Sequence, residues 1–197
     1  MRNVIILLAV LLFAGCTPKT TYIDHINDEG NPVLQLDYRD FDQAAGKLVQ
    51  SLISSGALNK GEGGRYVIAT GRIVNDTMQS IDTDQLMAKI EIELLASGLA
   101  VMTSAVGHGT DELIHDAREL RDSEEFDSGS VAERGTLIAP ELSISGKIKQ
   151  RNMAYSKNKQ QVEYYFQLKL SDVKSGLRFW QGEEFVGKRG SNKSVAW

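Results

Sequence analysis

Three stretches of the chain repeat their apolar residues at helical spacing, and the last third switches to strict alternation. Phe41, Ala44, Ala45, Leu48, Val49, Leu52 and Ile53 share one helix face, with Asp37 or Asp40 as the cap before them and Gly56 as the stop. A Gly-rich turn, Gly61 to Gly64, leads into a predicted strand from Arg65 to Val74. A second helix begins at Asp82 or Thr83, carries Leu86, Ile90, Leu94 and Leu95, and ends at Gly98. Leu99 to Ser104 reads as a short strand. A third helix follows from Thr110 to about Arg121, with Leu113, Ile114, Ala117 and Leu120 facing inward.

Beyond a polar loop the period becomes two. Leu142, Ile144, Gly146 and Ile148 alternate with Ser143, Ser145, Lys147 and Lys149, and Val162, Tyr164, Phe166, Leu168 and Leu170 alternate likewise. Leu177 and Phe179 continue the apolar side. Turns at Lys157-Asn158-Lys159 and Lys174-Ser175-Gly176 separate the runs, so three strands form an antiparallel meander. The expected fold is a single α/β domain: a mixed sheet with helices, completed by a C-terminal antiparallel meander.

The beginning of the chain has a different pattern. Arg2 precedes an uncharged apolar run of 11 residues, Val4 to Ala14, and Gly15 leads into Cys16, the single cysteine. Such a run makes about 17 Å of helix, well short of the roughly 30 Å hydrocarbon layer, so it suits a cleaved export signal better than a retained span. Leu12-Phe13-Ala14-Gly15-Cys16 has the character of a bacterial lipidation signal, because small residues admit the peptidase and the thiol accepts the lipid. The alternative is an ordinary secretory signal that ends near a cysteine. Thr17 in place of Asp after the cysteine points to the outer membrane. Residues 1–15 are then the signal peptide, 16–33 a short tether and 34–197 the globular domain. A tether of roughly 20 residues reaches at most about 70 Å extended and about 25 Å as a flexible coil.

Removing 15 residues leaves 182 and moves the formal net charge from −4 to −5. An acidic, exported chain of this kind is no nucleic-acid binder. With its one thiol acylated, it is stabilised by packing alone.

Candidate chemistry is sparse. Gly61-Glu62-Gly63-Gly64 lacks the Lys-Ser/Thr of a phosphate loop and precedes a strand, so it reads as a turn. Asn75, Asp76, Asp82 and Asp84 lack calcium-loop spacing and suit turn and cap roles. His108, Asp111, Glu112 and His115 cluster without the His-Glu-x-x-His order; a metal site there is the weaker reading beside an i,i+4 pair. No nucleophile elbow is present. The sequence predicts neither an enzyme nor a cofactor.

Charge is segregated instead. Asp111 to Asp127 holds eight acids against two arginines, whereas Ser145 to Lys174 holds seven Lys/Arg against Glu163 and Asp172. Alternation places Lys147, Lys149 and Arg151 on one side of the meander, together with Tyr165, Gln167 and Lys169, and then Arg178 and Trp180. Either that side is open and Lys149, Arg151, Tyr165, Lys169, Arg178 and Trp180 bind a partner, or helices cover the two aromatics and the lysines guard a sheet against aggregation. Lys188 to Trp197 is a basic segment past the last predicted strand, either a docked tail or a binding peptide.

The lipidation signal, the strand and turn Val67 to Thr77 before an Asp-capped helix, and the closing pattern Tyr164 to Asp172 with Gly176 and Trp180-Gln181-Gly182 resemble the LpoB family. The resemblance implies a fold similar to the N-terminal domain of TolB. It also implies an outer-membrane lipoprotein that binds a noncatalytic domain of a class A penicillin-binding protein and stimulates glycan polymerisation and cross-linking. The better-known members carry a long Pro-rich linker, and this chain has a short tether. A structural or assembly lipoprotein of an envelope machine, such as a secretion pore or flagellar collar, is the alternative reading.

Overall fold

A computed structural model describes residues 22–24 and 33–193 of the chain. The chain divides into two units, Met1–Pro32 and Val33–Trp197. The expected signal segment and Cys16 lie outside the described residues, as do the last four residues of the proposed basic tail.

Local chemistry sets each element of the second unit. Helix α1, Tyr38–Ser54, starts at a capping box in which both candidate caps take part: the Asp37 carboxylate accepts from the backbone of Arg39 and Asp40, and Asp40 Oδ2 accepts from the Asp37 N–H at 2.7 Å. Gly56, at φ 75°, ends it. Strand β1 is Tyr66–Asp76, helix α2 is Thr83–Ala96 with Asp82 as its cap, and β2 is Ala100–Met102. Helix α3, Glu112–Glu119, is capped by Asp111. The meander follows as β3, Leu142–Ser156, β4, Lys159–Asp172, and β5, Arg178–Ser191.

The strands form one five-stranded mixed sheet in the order β2-β1-β3-β4-β5. Strand β1 runs parallel to both neighbours, with Ile68 opposite Met102 on one side and Leu142 on the other. The meander is antiparallel, with Ile148 opposite Phe166 and Tyr164 opposite Val186. The single α/β domain expected from the sequence is what the chain forms.

Helices α1 and α2 pack on one face of this sheet. Ala44, Ala45, Leu48 and Leu52 of α1 and Leu86, Ile90 and Leu94 of α2 join Ile68, Ile144, Ile148, Tyr164, Phe166 and Leu170 in one core. Phe41 meets Phe166 edge to face at 6.0 Å. A buried clamp fixes the entry to α1: the Tyr164 hydroxyl donates to the Leu34 carbonyl at 2.9 Å and accepts from Gln79 Nε2, while Gln79 Oε1 accepts from the Leu36 N–H.

Three sequence expectations change. Helix α3 buries no side chain, and Leu113, expected inward, is 68% exposed. Its apolar stripe joins no part of the core, and Ile114 and Leu120 line a hollow with Phe126 and Val131 of the following loop. The last strand does not end before Lys188, where the basic tail was expected to begin, but continues to Ser191. Lys188 is therefore a strand residue, its ammonium bound to Asp40 and to the Gln35 carbonyl. Finally, the pairing of β4 with β5 slips by one residue, since Leu170 lies opposite Trp180 and Ser171 opposite Arg178. This bulge leaves Phe179 as the extra residue and reverses the parity beyond it. Trp180 packs on the helix-covered core, and Leu177 and Phe179, expected inward, are exposed.

Candidate interaction face of the sheet

The helices cover one side of the meander and leave the other uncovered. Because Leu142, Ile144 and Ile148 of β3 and Val162, Tyr164, Phe166, Leu168 and Leu170 of β4 are buried on the helix side, the residues between them project to the open side. Cross-strand register arranges them in rows. Lys149 lies opposite Tyr165, which lies opposite Phe185; Lys147, Gln167 and Glu183 form the next row; Ser145, Lys169 and Gln181 the next; and Ser143, Ser171 and Arg178 follow. Arg151 stands opposite Glu163 at the other end.

Five of the six expected partner-binding residues, Lys149, Arg151, Tyr165, Lys169 and Arg178, thus share one face. The bulge carries Trp180 to the other. There its ring lies over Gly182, beside Leu48 of α1, in space that a β-carbon at 182 would fill. Helices cover Trp180 and leave Tyr165 on the open side. Sequence reading missed Phe185, because the alternation was followed only as far as Trp180. Its ring stands 5.4 Å from that of Tyr165 and lies over Gly187. The alternation Glu183, Phe185, Gly187, Arg189 carried the signal.

The electrostatics of this face follow from its pairs. Lys147 bridges Asp76 of β1 at 2.6 Å, and this hydrogen bond and charge hold the Asp76 carboxyl below its usual range. Glu163 accepts from the Tyr165 hydroxyl and from Gln161 Nε2, each at 2.7 Å, which lowers the carboxyl and raises the phenol. Glu163 is therefore a carboxylate at neutral pH and Tyr165 its neutral donor. Arg178 donates to Gln181 at 2.5 Å. Lys149 and Lys169 make no hydrogen bond or ion pair among the described residues. Lys147, Gln167, Lys169, Arg178 and Gln181 border a shallow hollow of about 280 Å³. Cations and amides around a hollow, with an aromatic pair beside them, suit carboxylates and carbonyls on a partner's surface.

The histidines go elsewhere. His108 Nε2 is 2.9 Å from Asp84 Oδ1 at the start of α2, and His115 Nε2 is 2.8 Å from the Ala105 carbonyl. No group of three or more His, Cys, Asp or Glu residues is placed to hold a metal ion among the described residues. Glu91 lines a second small hollow with His108 and Thr70; burial pushes its carboxyl up, and a hydrogen bond with Thr70 opposes that. No helix of the described residues is long and apolar enough to cross a membrane.

Comparison with known proteins gives one family and a set of distant folds. No curated protein matches the chain. Among solved structures it is similar to the C-terminal domain of LpoB from Salmonella enterica, at 15% identity, covering 75% of this chain and 98% of that one with a TM-score of 0.43. The C-terminal domain of LpoB from Escherichia coli gives 12%, 75%, 98% and 0.42. Lipoprotein GNA1162 from Neisseria meningitidis gives 10%, 66%, 86% and 0.35. The family described as "Peptidoglycan-synthase activator LpoB" matches residues 40–186. That span runs from the first turn of α1 into β5 and takes in most of the open face, and the chain belongs to the LpoB family of peptidoglycan-synthase activators.

Proposed function

We propose that the chain is an outer-membrane lipoprotein that binds a class A penicillin-binding protein and activates it as a peptidoglycan synthase, itself catalysing nothing. The family match over residues 40–186 carries this reading. Residues 1–15 serve as the export signal, Cys16 takes the lipid, and 16–33 tether a domain that faces the periplasm. The open face of the meander is the binding surface: Lys149, Lys169 and Arg178 meet carboxylates, Arg151 borders the site, and Tyr165 with Phe185 supplies the desolvated contact. Trp180 supports this surface from behind.

Activation requires only differential binding. A ligand shifts a synthase toward its active state by as much as it prefers that state, and a coupling of about 1–3 kcal/mol changes activity-linked affinity roughly 5- to 150-fold. The short tether adds a geometric demand, since the synthase domain must come within about 70 Å of the anchoring membrane.

The test is glycan-chain synthesis by the organism's own class A synthase, with the full-length lipoprotein added in detergent. Saturable binding and faster polymerisation are expected. Absence of both overturns the proposal. In cells, Cys16→Ser should release the protein from the outer membrane, and retention there would refute the anchor.

A further inference from the structure

Strand β5 ends the sheet, so no strand among the described residues pairs with its outer edge. The edge is 14 residues long and contains no proline, whereas the opposite edge strand, β2, has three residues. A long unpaired edge is a template for another strand unless its side chains forbid it.

The order of residues along β5 selects the partner. Around Val186, Phe185 and Gly187 stand one residue away on either side, and Glu183 and Arg189 stand three residues away. In an antiparallel pair centred on Val186, a second β5 therefore sets Glu183 opposite Arg189 twice and Phe185 opposite Gly187 twice. Directly opposite residues share a face, and all four of these lie on the open one. Each charge has capacity left. Glu183 accepts from Gln167 through Oε2, and Arg189 donates to Gln161 through Nε, leaving Oε1 and both Nη groups without a hydrogen-bond partner among the described residues. The Arg189 guanidinium also lies over the Tyr155 ring at 4.3 Å, a stacking contact that leaves the Nη edge open. Moving the centre by one residue puts Glu183 opposite Gly187 or Ser191 and removes both Glu–Arg contacts. Glu184 and Lys188 are also symmetric about Val186, but they are engaged with Lys47 and Asp40 on the helix side and carry no weight here.

We propose that two copies of this chain pair antiparallel through their β5 edges, centred on Val186, to make one continuous sheet. The two-fold axis then stands perpendicular to the sheet, so both open faces lie side by side on one surface of the dimer.

Charge reversal tests this on the full-length chain in density-matched detergent, read by sedimentation equilibrium. Each reversal removes two attractions and adds two repulsions. Glu183→Arg alone and Arg189→Glu alone should each weaken self-association about thirtyfold. In an equimolar mixture, the first variant presents arginine at both positions and the second glutamate at both. Every charged contact between unlike copies is then attractive, so the mixture should recover the native association, as should the double variant. Recovery in the mixture also excludes misfolding as the cause of the losses. A native chain that stays monomeric at tens of micromolar overturns the proposal. So do single variants that associate as tightly as the native chain, or a mixture that recovers nothing.

Discussion

Replacing Tyr164 with Phe should cost about 2 kcal/mol, and the cost should be shared with Gln79. Tyr164 is fully buried, and its hydroxyl holds two groups at once, the Leu34 carbonyl and Gln79 Nε2. Deleting one oxygen leaves a buried acceptor and a buried donor unpaired, each worth about 1 kcal/mol net. Gln79→Ala loses the same tyrosine bond and also the Leu36 N–H, so it should cost a similar amount. Because one bond is common to both changes, the double variant should be about 1 kcal/mol less damaging than the sum. Urea unfolding followed by tryptophan fluorescence and far-ultraviolet circular dichroism measures this. With a slope of about 2 kcal/mol/M, each single change moves the midpoint by about 1 M. The buried hydroxyl also has a signature at high pH. Burial pushes the Tyr164 hydroxyl up to about 12 against an ordinary value of 10.0, with the Gln79 bond pulling the other way. A raised value means the contribution is intact below pH 10 and is lost as pH rises through about 12. Tyr164→Phe should flatten the loss over that window. A midpoint shift below about 0.25 M, or an additive cycle, would refute the account.

Three further outcomes follow from the fold and the open face. Lys169→Glu should weaken binding to the synthase about tenfold with little change in melting, whereas Trp180→Ala should cost about 2 kcal/mol of stability; a Lys169 change that unfolds the domain would reverse the assignment of faces. Gly182→Ala should destabilise by about 1–3 kcal/mol, because the new methyl meets the Trp180 ring and Leu48, and tryptophan emission should shift to the red; unchanged emission and melting would show that the ring yields freely. The Lys60 hydrogen bond at 2.7 Å, aided by the Val67 N–H, holds the Glu141 carboxyl below its ordinary 4.5. A lowered value gives stability above that pH that is lost as pH falls through the folded value. Lys60→Met should reduce the slope of melting temperature against pH in that range, and an unchanged slope would remove the pair from the account.

Where a residue's neighbours in sequence decide its conformation, the chain was legible. Asp37 and Asp82 sit at the helix starts that their cap chemistry demands, and Gly56 and Gly98 at the stops, whereas Asp111, expected inside the third helix beside His115, is its cap and His115 turns to the Ala105 carbonyl. The open face was legible as far as alternation is unbroken, through Lys149, Tyr165 and Lys169. It failed at the bulge between Leu170 and Ser171, because one extra residue opposite them inverts every later assignment in β5. Nothing local marks that residue, since Leu177 and Phe179 are as apolar as any core strand. Helix α3 misled for the opposite reason: its stripe is real, but amphipathicity says which side is apolar, not what stands against it. The continuation of β5 through Lys188 to Ser191 was hidden because a strand wet on one side, with Lys188 bound to a helix residue on the other, reads as a basic tail.

The parallel seat of β1 between β2 and β3 bears on how the chain reaches its fold. The meander closes by two short turns, and hairpins of that kind form in microseconds. Ile68 has to wait for Leu142, more than seventy positions further along, and no turn can bring parallel strands together. The entropy of closing so long a loop is spent before any contact repays it. During synthesis or transit from the N-terminus, α1, β1, α2 and β2 therefore emerge before β3, and the apolar surface they share with the meander stays uncovered until it follows. The half of the domain that is made first is completed last.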